Sequence, residues 1–266
     1  MSMDTNSLSR LFGKFASCAF PKWFQRIVNR VYVRIFRIDL SDFAPVDFYP
    51  TLNALFTRKL ERAREVDSSS ESIISPSDSL ITEQGIVCEN LALQIKGMSY
   101  PVDEFLGTPK GEVDGFSYVN LYLSPRDYHR YHAPCDMEIV EARYFGGELL
   151  PVNFPSLRKN SNLFVRNERV VLVANTPHNT RIYFVAVGAL NVGKMIFHFD
   201  SRIDTNAKPN ARDIYVYDTP ISVKKGDELG HFQMGSTIVL IMQDISLESS
   251  LEQTVRFGQR IARYGL

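Results

Sequence analysis

The sequence predicts an α+β protein in which N-terminal amphipathic helices lead into a compact, mainly antiparallel β-rich domain. Near the N-terminus, apolar residues recur with a helical period. After about residue 72 the chain instead consists of short β-rich segments separated by turn residues. Because no helical pattern alternates with these segments, an antiparallel or sandwich-like core is favoured over βαβ units. At 266 residues, the chain is long enough to bury one sizeable core.

The first clear helical segment has one basic and one apolar face. Basic residues recur every four positions from Lys22 to Arg34. The apolar positions beside them are Trp23, Phe24, Ile27, Val28, Val31, Tyr32, Ile35 and Phe36. Such a helix either lies in a membrane interface or packs on its own domain with a solvated basic edge, and the pattern leaves both open. No apolar run is long enough to span a bilayer, and basic residues interrupt every candidate core of a secretory signal.

A polar, serine-rich run at residues 67–72 divides the chain into two predicted domains. Residues 1–66 form a helical region with a second predicted helix at residues 51–64, and residues 67–266 form the β-rich domain. Strands are predicted at residues 73–74, 80–87, 91–96, 116–123, 137–144, 168–175, 180–187, 214–217 and 237–243. The long polar segment 200–213 either covers a site or is a mobile loop.

Charge and cysteine content narrow the class of protein. The 30 basic residues balance 30 acidic ones, which argues against a nucleic-acid partner. Cys18, Cys88 and Cys135 have no paired or metal-ligand spacing, which suits a reducing compartment. Cys135 lies beside a histidine pair, but a role as a small buried apolar residue is favoured over one as a nucleophile.

The peptide between Gly235 and Ser236 is the first candidate for chemistry. It follows a turn-like run at residues 224–230 and opens an apolar run at residues 238–242, so a hydroxyl lies behind a glycine at the start of a predicted buried strand. At such a turn a serine hydroxyl can reach the carbonyl of its own peptide bond. An acyl shift from nitrogen to oxygen, followed by elimination, would cleave the chain and leave an N-terminal pyruvoyl group. A plain turn is the commoner role of such a tetrapeptide.

His129 and His132 form the second candidate feature. A metal site is disfavoured, because no third ligand or His-Glu-x-x-His pattern accompanies them. The flanking Pro125 and Pro134 also leave little room for a helix. The histidines are then either part of a polar structural loop or proton carriers, and the second role requires a carboxylate and a nucleophile elsewhere in the chain.

Together these motifs resemble the phosphatidylserine decarboxylase family. Residues 122–134 match that family's histidine motif nearly residue for residue, and residues 234–237 (Met-Gly-Ser-Thr) match its self-processing motif, typically Leu-Gly-Ser-Thr. Further blocks at residues 147–153, 162–170 and 255–262 also match. The resemblance therefore runs from about residue 52 to residue 262.

Two positions depart from the family pattern. Residues 76–79 read Pro-Ser-Asp-Ser where the family usually has Pro-Ala-Asp-Gly, so Asp78 is kept but the local turn should differ. Met234 replaces the usual leucine, which conserves side-chain volume. Neither change removes a group that the chemistry requires.

The resemblance implies an activity and a set of site residues. It implies decarboxylation of phosphatidylserine to phosphatidylethanolamine through a Schiff base with a pyruvoyl group, which self-cleavage at Gly235-Ser236 makes from Ser236. Ser236 would be the nucleophile, His132 the base and Asp78 the carboxylate that orients this base. His129 would handle the substrate and assist decarboxylation. This chemistry needs neither a metal nor pyridoxal phosphate.

The expected partners follow from the same resemblance. They are phosphatidylserine in a membrane, an anionic phospholipid surface, and the two cleavage products, which stay together as a heterodimer. The protein is expected to lie on the cytoplasmic face of the cell membrane. Arg126 could pair with the lipid phosphate through its planar guanidinium, or it pairs with Asp127 instead. The oligomeric state stays open, a homo-oligomer included. A serine hydrolase and a non-catalytic membrane-binding β domain remain as alternatives, and neither would cleave itself after Gly235.

Overall fold

The computed structural model describes residues 13–190, 194–206, 211–233 and 236–265. Residues 13–17 are helical, and helix α1 spans Lys22–Phe36. α1 follows Pro21 and ends where Arg37 adopts a left-handed conformation with φ of 52°. This helix confirms the helical period in the sequence. Among the described residues no helix is both long enough and apolar enough to cross a membrane.

α1 packs on the protein through Gln25, Asn29 and Tyr32, and it turns a row of apolar side chains outward. Gln25 and Asn29 are buried, and the amide of Asn29 donates a hydrogen bond to the carbonyl of Tyr49 at 2.9 Å. The exposed fractions on the outer face are 67% for Trp23, 37% for Phe24, 50% for Ile27, 49% for Val31 and 68% for Ile35. Amphipathic helices usually bury the apolar stripe against their own domain, so this exposed apolar row on α1 is unusual.

Only the first part of the predicted helix at residues 51–64 forms. Helix α2 spans Leu52–Phe56, and the hydroxyl of Thr51 caps its N-terminus. Beyond it, the buried guanidinium of Arg58 donates to the backbone carbonyls of Arg126 and Asp127 at 2.7 and 2.9 Å. The prediction that the helix continues to residue 64 is wrong, because this long-range contact draws Arg58 into the protein and away from a helical surface.

The remaining elements are short helices and many strands. The helices are α3 (Val102–Leu106), α4 (Phe154–Lys159) and α5 (Leu163–Arg166), with a 3₁₀ turn at Val46–Phe48. The strands are β1 (Ser72–Ile74), β2 (Ser79–Ile86), β3 (Leu91–Ile95), β4 (Met98–Pro101), β5 (Ser117–Leu123), β6 (Arg130–His132), β7 (Met137–Phe145), β8 (Arg169–Asn175), β9 (Arg181–Val187), β10 (Met195–Phe197), β11 (Arg212–Val223), β12 (Glu228–Phe232), β13 (Ser236–Met242), β14 (Ile245–Leu247), β15 (Thr254–Val255) and β16 (Arg260–Tyr264).

An eight-stranded sheet dominates the fold, in the order β11-β7-β8-β9-β13-β5-β2-β15. Every pairing within it is antiparallel, which confirms the predicted α+β fold with a mainly antiparallel β-rich core. In the central strand β13, Ile238 and Leu240 face one layer of the core while Val239 and Ile241 face the other. Burial on both faces explains why β13 is a continuous apolar run in the sequence.

Separate layers cover the two faces of this sheet. One face packs against two three-stranded sheets, β10-β12-β6 and β1-β16-β14. The other packs against the β3-β4 hairpin and helices α3 to α5. The N-terminal region has its own small hydrophobic cluster around Leu55 and Phe56, and a further cluster containing Phe43 and Tyr128 joins it to the β-rich part.

Each of the predicted strand segments overlaps an observed strand. The prediction missed short strands, of which β6 and β12 matter for the site. β6 lies inside the histidine motif, and β12 includes residues 228–230, which read as part of a turn in the sequence. β11 is also longer than the predicted residues 214–217, because it continues along the exposed edge of the large sheet.

Candidate active site

Strand ends meet at one edge of the eight-stranded sheet. Ser236, the first residue of β13, pairs with Leu123, the last residue of β5. On the other side of β5, Leu80 of β2 pairs with Tyr122, so Asp78 lies just before the start of β2 at this same edge. The antiparallel register therefore brings the predicted nucleophile and the predicted carboxylate, which are far apart in sequence, to one edge of the sheet.

The histidine motif leaves the sheet at this edge as well. After Leu123 the chain turns away and forms β6, which pairs with β12. At the end of β12 the backbone N–H of Phe232 donates to the carbonyl of His129 at 2.9 Å. From Phe232 the chain returns to Ser236 through residues 233–235, of which Met234 and Gly235 lie outside the described residues. His129 thus lies beside the segment that leads into the predicted cleavage site.

Buried hydroxyl groups without hydrogen-bond partners are concentrated at this edge. Ser236 is fully buried, and its Oγ has no partner among the described residues. The hydroxyls of Ser77, Ser79 and Thr237 are likewise buried and have no partner in the part of the chain that the structure describes. Each unpaired buried polar group costs about 1–3 kcal/mol, so such groups call for a functional explanation. No structural hydrogen bond within the described residues occupies the Ser236 hydroxyl, so it is free to react.

His129 is a neutral imidazole with one free nitrogen. The residue is fully buried, and its ring packs on Phe56 with ring centroids 3.9 Å apart. Burial first, and then the charge of Arg58, lower the pKa of His129 to about 3. Nδ1 is 2.8 Å from the carbonyl of Asp127, and because a carbonyl can only accept, Nδ1 carries the proton. Nε2 is buried and has no partner among the described residues, so it is available as a hydrogen-bond acceptor.

His132 is also neutral, but both of its ring nitrogens are engaged. Nδ1 donates to the carbonyl of Gly226 at 2.8 Å, and Nε2 lies 3.1 Å from the hydroxyl of Tyr128. The ring stacks on Phe257 with centroids 3.7 Å apart. Burial lowers the pKa of His132. These contacts fix the ring orientation and leave Nε2 as the basic nitrogen, with the Tyr128 hydroxyl as its donor.

Asp78 and His132 both contact Phe257, but within the described residues no hydrogen bond joins their two side chains. Its Oδ1 accepts from the guanidinium of Arg64 and from the backbone N–H of Phe257 at 2.9 Å. The backbone N–H of His132 in turn donates to the carbonyl of Pro76. In this structure the His132 ring is oriented by a backbone carbonyl and by Phe257, while Asp78 holds the backbone of Phe257 in place.

Arg126 and Asp127 lie at the surface end of the histidine motif. Asp127 accepts two hydrogen bonds from Ser124, each of 2.7 Å, and burial raises its pKa. The side chain of Arg126 is 60% exposed, and its closest approach to the Asp127 carboxylate is 3.8 Å. Both residues line a cavity of about 250 Å³ together with Asp78 and Arg58. Arg126 therefore makes only a long contact with Asp127, and its guanidinium faces solvent.

The structure also accounts for two positions that the sequence singled out. Ser79 replaces the family's usual glycine, yet it lies in β2 and is not among the residues with positive φ, so its backbone does not require glycine. Cys135 is buried, and burial raises the pKa of its thiol to about 11. A thiol with this pKa is protonated at neutral pH, which agrees with the expected apolar role.

Sequence reasoning missed the residues that surround the two histidines. Tyr128, Gly226 and Phe257 set the position of His132, and Arg58 ties the carbonyls of the histidine motif to the N-terminal region. Tyr128 lies within the matched histidine motif, so the sequence could have pointed to it. Gly226 makes its contact through its backbone carbonyl, which no sequence pattern reveals.

Comparisons with known proteins find similar chains over nearly the whole length of this one. The family model described as phosphatidylserine decarboxylase matches residues 52–263. A phosphatidylserine decarboxylase proenzyme of Helicobacter pylori is 55% identical over 260 residues, which cover 98% of this chain and 97% of the relative. The proenzyme of Campylobacter jejuni is 46% identical over 271 residues, covering 98% and 100%. A mitochondrial proenzyme of Rattus norvegicus is 32% identical over 295 residues, covering 98% and 72%.

Proposed function

The chain belongs to the phosphatidylserine decarboxylase family, and from this premise we propose that it is made as a precursor, cleaves itself between Gly235 and Ser236, and converts phosphatidylserine to phosphatidylethanolamine. The observation that carries the proposal is the buried, unpaired hydroxyl of Ser236 at the sheet edge where Asp78 and the histidine motif converge. A hydroxyl that served only to close a turn would be expected to have a hydrogen-bond partner.

In self-cleavage we assign His132 as the base. The Gly226 carbonyl holds the proton on Nδ1, so Nε2 accepts the proton from the Ser236 hydroxyl, directly or through the hydroxyl of Tyr128. The oxygen then attacks the Gly235 carbonyl carbon, and the acyl group moves from nitrogen to oxygen. Asp78 supports this arrangement through Phe257, whose ring stacks on His132.

The pyruvoyl group that replaces Ser236 fits this position. Elimination of the ester would leave the Ser236 oxygen in the new carboxylate of Gly235, and water would supply the keto oxygen as ammonia leaves. Because the Ser236 hydroxyl has no partner among the described residues, its departure breaks no hydrogen bond there. The group would supply the electron sink for the carbanion left by loss of CO2.

In decarboxylation we assign His129 to substrate handling. The Nε2 of its neutral ring, which has no partner among the described residues, can accept a hydrogen bond from the substrate amine and so anchor it.

The two cleavage products are expected to stay together as a heterodimer. β13 lies between β9 and β5 in the interior of the large sheet, so hydrogen bonds on both sides hold the chain that begins at residue 236. The same chain supplies β16, which pairs with β1 and β14. Chain cleavage before β13 therefore leaves the sheet intact.

We also propose that the protein associates peripherally with the cytoplasmic face of the cell membrane through α1. Trp23, Ile27, Val31 and Ile35 expose about half or more of their surface on one face of this helix, and Lys22 and Arg34 are exposed near its two ends. Apolar insertion with basic residues near the headgroups is how an interfacial helix binds anionic lipid. In this arrangement residues 1–66 are the membrane-associating region and residues 67–266 the catalytic domain.

Arg126 is the proposed contact for the lipid phosphate. Its guanidinium is largely exposed, and it lines the same cavity as Asp78, so a phosphate there would lie close to the cleavage-site edge. A planar guanidinium can bind two phosphate oxygens at once.

The proposed activity is tested with purified protein and vesicles that contain phosphatidylserine. We expect release of CO2 and formation of phosphatidylethanolamine by the wild type, and neither by Ser236→Ala. Release of fatty acid without CO2 would favour a serine hydrolase instead. Full decarboxylation by Ser236→Ala would overturn the assignment of the pyruvoyl precursor.

A further inference from the structure

Three side chains with metal-ligand chemistry lie together on the outer face of the β10-β12-β6 sheet. They are His198, Glu228 and His231, and one ligand atom from each lies within 4.8 Å of the others. In the part of the chain that the structure describes, no other group of three His, Cys, Asp or Glu side chains has this property. Neither His129 nor His132 belongs to this group, so its three residues are not part of the proposed catalytic site.

The backbone explains how these residues come to share one face. His231 in β12 pairs with Ile196 in β10, and the backbone N–H of His198 donates to the carbonyl of Leu229. Residues three apart on a regular strand face opposite sides. The register of β12 against β6, however, shifts between Glu228 and Gly230, and this bulge turns Glu228 to the same side as His231.

The spacing of the donor atoms fits a bound ion. Nε2 of His198 and Nδ1 of His231 are 3.2 Å apart. Two nitrogens at about 2.0–2.1 Å from a tetrahedral zinc ion are roughly 3.3 Å from each other. Oε1 of Glu228 is 3.4 Å from the other ring nitrogen of His198, Nδ1. Since one ligand atom from each of the three residues lies within 4.8 Å of the others, rotation of the His198 and Glu228 side chains would bring all three onto one ion.

A neighbouring arginine holds the carboxylate in position. The guanidinium of Arg130 contacts Oε1 of Glu228, and its Nε donates to the carbonyl of Thr57 at 3.0 Å. Arg130 and His198 both contact Oε1, so within the described residues Oε2 is the carboxylate oxygen of Glu228 that would bind an ion. Because the positive charge of Arg130 lies beside the site, we expect moderate metal affinity.

We propose that His198, Glu228 and His231 bind one divalent transition-metal ion of the zinc class. Two imidazole nitrogens and one carboxylate oxygen suit zinc and similar ions, whereas calcium and magnesium prefer all-oxygen sites. The ion would link β10 to β12. β12 follows Gly226, whose carbonyl binds His132, and it ends at Phe232, whose N–H binds the backbone of His129. The ion is therefore a clamp on the strand that positions both motif histidines, and it takes no part in the decarboxylation itself.

The test is a Co²⁺ titration of the purified full-length protein, followed by the visible ligand-field absorption of the ion, with Zn²⁺ as competitor. We expect one ion per chain in the wild type. Loss of a group that merely orients a ligand typically weakens metal binding about 10–100-fold, so removal of a ligand in His198→Ala or His231→Ala should weaken it at least tenfold. Glu228→Gln should weaken binding as well.

His178→Ala is the matched control. His178 stacks on Tyr264 with ring centroids 4.1 Å apart and does not belong to the proposed site, so this variant should bind Co²⁺ like the wild type. Zn²⁺ should raise the Tm of the wild type and of this control, but not that of His198→Ala. The side chain of His198 is 40% exposed, so its truncation should not prevent folding. The proposal is overturned if the wild type shows no saturable binding, or if His198→Ala and His231→Ala both bind Co²⁺ as tightly as the wild type.

Discussion

The outward apolar face of α1 gives a quantitative prediction for membrane binding. Substitution of Trp23, Ile27, Val31 and Ile35 by serine removes apolar surface that is 49–68% exposed in the protein. Full burial of such a side chain contributes about 1.5–3 kcal/mol, so burial of the exposed half contributes roughly 1 kcal/mol per residue, or about 4 kcal/mol for the four. Since every 1.4 kcal/mol is a factor of ten, vesicle affinity should fall at least about 100-fold.

The assay is cosedimentation with vesicles rich in anionic phospholipid, alongside decarboxylation of vesicle-borne substrate. Both should decrease in the fourfold variant, while self-cleavage should continue because its residues lie in the β-rich part. Phe36 is left unchanged, because its ring packs inside against Tyr32 with ring centroids 4.6 Å apart.

A matched pair of double variants separates the face of α1 from exposed apolar surface in general. Val31→Ser with Ile35→Ser should weaken vesicle binding. Ile214→Ser with Val216→Ser should not, although these β11 side chains are each 65% exposed. Equal losses in the two double variants, or undiminished binding by a fourfold variant that still cleaves itself, would refute this reasoning.

The remaining predictions concern the catalytic groups and pH. His132→Ala and Asp78→Asn should slow self-cleavage, as followed on denaturing gels. His129→Ala should cleave itself substantially but decarboxylate poorly. The reverse pattern for the two histidines would exchange their roles. Because burial holds the pKa of His129 at about 3 against an ordinary 6.5, the unfolded chain binds a proton between these pH values that the folded chain does not. The free energy of unfolding should therefore decrease as pH falls through this range, by about 1.4 kcal/mol per pH unit from this residue. Denaturant titrations of the self-cleaved protein at about pH 6 and at about pH 5 measure this effect. The free energy of unfolding should change less between these two pH values in His129→Gln than in the wild type. Equal changes in the two proteins would contradict the buried neutral state of His129.

The candidate site residues could be predicted from sequence where the reactive group is a side chain in a recognisable motif. Asp78, His129 and Ser236 are far apart in sequence but lie at one sheet edge or beside it. The orientation of His132 could not be predicted, because it depends on the backbone carbonyl of Gly226 and on stacking with the distant Phe257. A backbone acceptor has no sequence signature, and a stacking partner far along the chain is set only by the tertiary fold.

In the fold, too, features set by neighbouring residues could be predicted from sequence, whereas features set by distant contacts could not. The 3.6-residue period of α1 was visible in the sequence, but the direction of its apolar face depends on Asn29, which binds a carbonyl twenty residues away. The helix expected at residues 51–64 ended early because Arg58 makes contacts with residues far along the chain. Strands β6 and β12 were missed because they are short and carry polar residues on one face.

Self-cleavage between Gly235 and Ser236 is the central claim, and the mass of the denatured, purified protein tests it most directly. The wild type should give two chains, residues 1–235 and a smaller chain from position 236 that lacks a free N-terminal amine. The smaller mass should fall short of the unmodified sequence 236–266 by one ammonia, because pyruvoyl replaces the N-terminal serine. Ser236→Ala should give a single chain of full mass. A wild-type protein that remains one uncleaved chain while it decarboxylates phosphatidylserine, or a Ser236→Ala protein that separates into the same two chains, would contradict the account.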